Sequence, residues 1–65
     1  MKYNIGDFVS LNQEYDYVDP QNNERRIASG TVGTIKKIFQ TAEAYLVNFP
    51  EDKNIAVLET WLDPA

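Results

Sequence analysis

Chemistry in this chain falls to carboxylates, tyrosines and a few cations, because its 65 residues include neither histidine nor cysteine. The usual proton shuttle, the strongest nucleophile and the common zinc-ligand sets are therefore missing. Acid–base work would rest on carboxylate pairs, Asp16 with Asp19 or Glu51 with Asp52. Both pairs sit among polar turn formers, where nothing desolvates a carboxyl and raises its pKa toward neutrality. They read as solvated loop charges. Glu51-Asp52 could meet a hard cation, but its spacing matches no calcium loop. Gly30 and Gly33 lie within a β-branched run rather than ahead of a helix, so they form no phosphate-cradling loop. A chain this short is also expected to lack room for a pocket of several hundred cubic ångströms. No enzymatic activity, catalytic residue, cofactor or metal is expected.

Binding chemistry is better represented. The segment from Asn12 to Arg26 carries Tyr15, Asp16, Tyr17, Asp19, Pro20, Arg25 and Arg26, and a single tryptophan, Trp61, stands near the C-terminus. Aromatic residues are enriched where partners bind, and tyrosine rings supply contact area at low entropic cost. Each also has a structural reading. Tyr15 or Tyr17 could pack its ring on the core while its hydroxyl stays in water, and Trp61 could close one end of the core. Arg25-Arg26 and Lys36-Lys37 could simply decorate a strand edge or face.

Ten acidic against six basic side chains give a net charge of −4. Non-specific nucleic-acid binding is driven largely by clustered Lys and Arg, so direct nucleic-acid binding is not expected. The absence of cysteine fits a reducing compartment, which points to a cytoplasmic location. No window approaches the roughly 18 apolar residues of a membrane span, and MKYNIGDF has no apolar run after its lysine, so neither a membrane protein nor a signal peptide is expected. A domain of this size buries only about 60% of the surface its unfolded chain exposes. With no disulfide or zinc to staple it, stability must come from apolar packing or from a partner.

The elements that would position these groups are strands. In GDFVSL, Val9 and Leu11 share one face and Phe8 and Ser10 the other. Asn12 to about Glu24 is a long polar connection with Pro20, Asn22 and Asn23 as turn formers, of a length that is either functional or folded back as a ribbon. The next strand runs through Gly30-Thr31-Val32-Gly33-Thr34-Ile35 to Phe39, with Ile27 and Ala28 as its possible start. A bulge at Gly33 with an unusual backbone conformation would bring Val32 and Ile35 to one side. After a turn at Gln40 to Ala42, Tyr45, Val47 and Phe49 alternate cleanly. Pro50 to Asn54 reads as a tight hairpin connection, Ile55 and Val57 as the inner face of a last strand, and Glu59 to Leu62 as one 3₁₀ turn that tucks Trp61 or Leu62 over the core. The expected core is Val9, Leu11, Val32, Ile35, Ile38, Tyr45, Val47, Phe49, Ile55 and Val57. The fold class is all-β, a single domain spanning residues 1–65, with five curled antiparallel strands.

The order Gly6-Asp7-Phe8-Val9-Ser10-Leu11, a long loop, Gly30-Thr31-Val32-Gly33-Thr34-Ile35, Tyr45-Leu46-Val47-Asn48-Phe49 and Leu58-Glu59-Thr60-Trp61-Leu62-Asp63-Pro64 resembles the small SH3-like barrels found as stand-alone bacterial proteins. It is also similar to the small barrel protein of photosystem I and to the barrel domain of the nitrile hydratase beta chain. The resemblance implies a five-stranded barrel; its motifs are structural, and barrels of this type host unrelated roles. Glu14-Tyr15-Asp16-Tyr17 is similar to the A-L-Y-D-Y signature of polyproline-binding SH3 domains, but the tryptophan pair and the proline-tyrosine pair of that groove are absent. The expected function is a non-enzymatic interaction module, monomeric or weakly dimeric. It would be an accessory, adaptor or inhibitor subunit docking on a larger protein through Tyr15, Asp16, Tyr17, Asp19, Arg25, Arg26 and Trp61. The alternative is a nucleic-acid-associated barrel, or an inhibitor whose carboxylates mimic nucleic-acid phosphates.

Overall fold

The computed structural model describes all residues, Met1–Ala65. Seven strands and one 3₁₀ turn follow in the order β1 (Phe8–Leu11), β2 (Tyr15–Val18), β3 (Glu24–Ile27), β4 (Val32–Phe39), β5 (Ala44–Asn48), β6 (Ile55–Leu58), the 3₁₀ turn (Glu59–Trp61) and β7 (Leu62–Pro64). Five of them form one antiparallel sheet in the order β6-β5-β4-β1-β7, and β2 and β3 pair separately as a two-stranded ribbon. The all-β class follows directly. Strands β6 and β7 are the edges of the sheet and do not pair with each other, so the ladder is open. No helix is long and apolar enough to cross a membrane.

The period of two seen in the sequence places the core. Val9, Leu11, Ile35, Tyr45, Val47, Phe49, Ile55 and Val57 are all buried and belong to one cluster of 11 residues, which Tyr3, Ile27 and Leu62 complete. Ile38 packs against its margin. Burying a side chain such as Phe49 or Leu11 contributes about 1.5–3 kcal/mol, and these residues supply most of the stabilisation of a chain without staples. The two tyrosine hydroxyls of this core are satisfied: that of Tyr45 accepts the Tyr3 N–H (3.1 Å) and donates to Glu59. Glu59 also accepts the Lys2 N–H at 3.0 Å, and the Tyr3 hydroxyl donates to the Leu62 carbonyl at 3.2 Å. The N-terminal segment is thereby fastened across the 3₁₀ turn.

Strand β4 departs from expectation in three ways. Val32 is 46% exposed rather than core. Its register opposite Ser10 sets it on the outer face, and Gly33, opposite Val9, points inward. The bulge falls at Lys36, where the register shifts between Ile35↔Val47 and Lys37↔Leu46. That extra residue brings Ile35 and Ile38 to the same side despite their odd spacing. Finally, Ile27 and Ala28 do not begin β4, since Ile27 ends the ribbon and a turn containing Gly30 at φ +89 intervenes. Gly33 has no positive φ; its lack of a side chain answers to crowding. A Cβ there would lie 2.6 Å from Val47 Cγ1, 2.8 Å from Phe49 Cδ1 and 2.9 Å from the Asn48 carbonyl oxygen.

Candidate functional site

The long polar connection does not remain a loop. Asp19 folds it back: its Oδ1 accepts the N–H groups of Gln21 (2.9 Å) and Asn23 (2.8 Å), while Asn22 takes φ 65 at the tip. Hydrogen bonds from those amides, led by Asn23, hold the Asp19 carboxyl below its ordinary pKa. Asp19 is thus a turn organiser. The pairing Tyr15↔Ile27, Asp16↔Arg26, Tyr17↔Arg25 and Val18↔Glu24 then separates two faces. Tyr15, Tyr17, Arg25 and Ile27 turn toward the body; Asp16, Val18, Glu24 and Arg26 turn to solvent.

On the inner face the rings of both tyrosines pack as the structural reading has it, but their hydroxyls bond to the protein. Both rings are half-buried against the core margin, with the Tyr15 ring 5.3 Å from that of Trp61 in an edge-on arrangement and 6.1 Å from that of Tyr17. The Tyr15 hydroxyl donates to the Ala56 carbonyl at 3.2 Å, and the Tyr17 hydroxyl to Asp52 Oδ1 at 2.6 Å. Trp61 packs on the core as well as on Tyr15, and its carbonyl accepts the Asn12 N–H at 2.8 Å.

Asp52 is the second correction. Expected as a solvated loop charge, it is 8% exposed. The connection from β5 to β6 folds it under the ribbon, aided by a Phe49 N–H to Asp52 carbonyl bond of 2.9 Å and by Asn54 at φ 56. Its Oδ1 accepts from Tyr17 and from Arg25 Nε at 3.2 Å, with Arg25 Nη2 at 3.1 Å; Nη2 also reaches the Glu51 carbonyl at 3.3 Å. Donation to Asp52 pushes the Tyr17 phenol above its ordinary pKa, and the same carboxylate holds the Arg25 guanidinium more firmly charged. Arg25 therefore serves as a clamp. Arg26, on the outer face, makes a two-pronged pair with Asp16 at 2.7 and 3.3 Å, and this bond lowers the Asp16 pKa.

Between the ribbon and the β5–β6 connection lies an open groove of ≈ 560 Å³, with Tyr15, Tyr17, Pro20, Asp52, Lys53 and Ala56 among its walls. Its volume exceeds what the chain length led one to expect, as an open cleft rather than an enclosed cavity. Of the residues expected at a binding surface, Tyr15, Tyr17, Asp19 and Arg25 line this groove; Asp16 and Arg26 border a second open groove on the outer ribbon face, and Trp61 abuts Tyr15 from the core side. The arrangement offers two aromatic rings, fixed in place, beside a lysine that forms no ion pair. Lys53 and Ala56 were not singled out from the sequence, and Asp52 was weighed only as a loop carboxylate beside Glu51, not as a partner of the ribbon. Only the pairing of Tyr17 with Arg25 across the ribbon hints that a carboxylate must come from elsewhere. Comparison with protein-family models, curated proteins and solved structures finds no match for this chain.

Proposed function

We propose that the chain is a non-enzymatic interaction module, a variant of the small SH3-like barrel, that docks on a larger protein through the groove between its ribbon and the β5–β6 connection. The observation carrying this reading is the Asp52 latch. Its bonds to Tyr17 and Arg25 hold the Tyr17 ring, while the Ala56 carbonyl and the Trp61 ring hold that of Tyr15, so two half-exposed rings stand at fixed orientation along the groove, and preorganised aromatic rings are what binding hot spots are built from. The barrel reading draws support from the strand order, from the ribbon after β1 and from the 3₁₀ turn ahead of β7, which carries the sheet back to β1. Phosphate mimicry is the weaker reading, because Asp16 on the solvent face of the ribbon is already neutralised by Arg26.

The test is capture from lysate of the source cell with tagged wild-type chain and with Tyr15→Ala and Tyr17→Ala, each checked for folding by circular dichroism. A hot spot is worth about 2 kcal/mol or more, so a partner held by the wild type should be lost on a folded variant. Retention of the same partner by both folded variants would move the binding surface elsewhere.

A further inference from the structure

A second groove, which shares Lys53 with the ribbon groove but none of its tyrosines, carries a feature of its own. On the outer face of the sheet, Phe8 is 67% exposed, although β1 lies inside the sheet with neighbours on both sides. The register Phe8↔Thr34 and Ser10↔Val32 makes Phe8 and the exposed Val32 diagonal neighbours, close enough for their side chains to form one apolar strip. A shallow groove of ≈ 400 Å³ runs along it, with Lys36, Asn48, Pro50 and Lys53 among its walls. No carboxylate lines that groove, although acidic residues outnumber basic ones ten to six. The ion pairs of the molecule engage Arg25 and Arg26, which leaves Lys36 and Lys53 without an acidic partner.

We infer that this face docks an extended acidic segment of a partner protein, with an apolar side chain over Phe8 and Val32 and carboxylates on Lys36 and Lys53. The charge pattern selects the occupant. A nucleic acid would gain little from two lysines on a chain of net charge −4, since affinity for phosphate backbones grows with the number of counterions displaced, and the apolar floor would meet no counterpart on a phosphate chain. A second copy docking by two-fold symmetry would set the same lysines against each other. Acidic peptide carboxylates, in contrast, meet unpaired cations while an apolar side chain covers Phe8.

The full chain is titrated with a synthetic peptide alternating Glu with Phe and Val, and with counterparts carrying Gln or Lys in place of Glu, while backbone amide shifts are followed. The inference expects the Glu peptide to perturb Phe8, Val32, Thr34, Lys36 and Asn48, to weaken as salt is added, and to bind about ten-fold more weakly to Lys36→Glu and to Phe8→Ser. Lys36 is chosen because Lys53 lines both grooves; should Phe8→Ser fail to fold, Lys36→Glu alone carries the test. The inference is overturned by equal binding of the Gln or Lys peptide, by shifts confined to the ribbon groove, by no shifts at millimolar peptide, or by affinity unchanged in Lys36→Glu. Displacement of the Glu peptide by a single-stranded oligonucleotide at equal charge concentration, or loss of the patch into a dimer by sedimentation, would overturn it in favour of a polyanion or a second copy.

Discussion

The five-stranded sheet and the β2–β3 ribbon are held in place by different forces. The sheet rests on a ladder of backbone bonds and on a cluster of 11 buried residues, of which nine lie in or beside its own strands, Tyr3 comes from the N-terminal segment and only Ile27 comes from the ribbon. The ribbon forms no ladder with the sheet. Apart from Ile27 and the half-buried tyrosine rings, side-chain hydrogen bonds fasten it: Tyr15 to Ala56, Tyr17 and Arg25 to Asp52, and Arg25 to Glu51. Apolar packing is non-directional and cumulative, whereas a hydrogen-bonded latch is directional and fails when one partner is lost. The ribbon should therefore behave as a unit whose position, unlike that of the sheet, depends on a few polar atoms. An interaction surface placed there is rigid only as long as the latch is closed.

The comparison breaks most violently if the sheet is hollowed. Phe49→Ala should cost about 3–5 kcal/mol, enough to unfold most of a domain this small, and thermal melting will show it. Gly33→Val should cost about 1–3 kcal/mol or more by overpacking, because its side chain enters space held by Val47, Phe49 and the Asn48 carbonyl; an unchanged melting temperature would refute the packing of β4 on β5. Asp52→Ala should cost roughly 2 kcal/mol and free the ribbon, while Asp52→Asn, which keeps an acceptor, should cost less. Tyr17→Phe, which removes one donor and keeps the ring, should cost about 1 kcal/mol.

The smallest effects are those of pH and of the outer ribbon face. The phenols of Tyr3, Tyr17 and Tyr45 lie above their ordinary pKa, Tyr3 and Tyr45 chiefly through burial and Tyr17 through donation to Asp52. A raised folded-state pKa means that the folded state holds the proton more tightly. That stabilisation is complete below about pH 10 and lost as pH rises through the folded values. Asp16, Asp19 and Glu59 are lowered, each chiefly by a hydrogen bond: from Arg26, from the Asn23 amide and from Tyr45 respectively. Their contribution is present above the ordinary carboxylate range and lost as pH falls below about 4. Denaturant midpoints should thus be level from about pH 5 to 9 and fall on both sides. Asp16→Asn should leave the midpoint within error, because its pair with Arg26 is solvent-exposed and such pairs contribute little.

The sequence was legible where a period of two met a buried face. Val9, Leu11, Tyr45, Val47, Phe49, Ile55 and Val57 declare themselves because apolar residues recur at every second position of their strands, and Pro64 stands at the sheet edge, where a missing N–H is tolerated. The 3₁₀ turn was legible from the short run before Asp63-Pro64. The bulge was misplaced because glycine is an ambiguous sign: Gly33 reflects the close approach of β5, while the extra residue is Lys36, whose type carries no bulge signal. The site was legible in its residues but not in their roles. Tyr15, Tyr17 and Arg25 do gather at one groove, yet the carboxylate that fixes Tyr17 and Arg25 lies 35 residues from Tyr17 along the chain, and nothing local in Glu51-Asp52 reveals that the ribbon will cover it. The exposed Phe8 was written in the same alternation that buried Val9, as the residue left on the other face.

Native-state amide hydrogen exchange, compared between wild type and Asp52→Ala, tests the contrast between sheet and ribbon most directly. Amides of the ribbon, Tyr15–Val18 and Glu24–Ile27, should open locally at a free energy below that of β4 and β5, and Asp52→Ala should speed ribbon exchange at least about ten-fold more than it speeds exchange in those strands. If ribbon and sheet amides exchange at one common free energy in both proteins, the ribbon is an integral part of the sheet's cooperative unit and the polar latch is not what holds it.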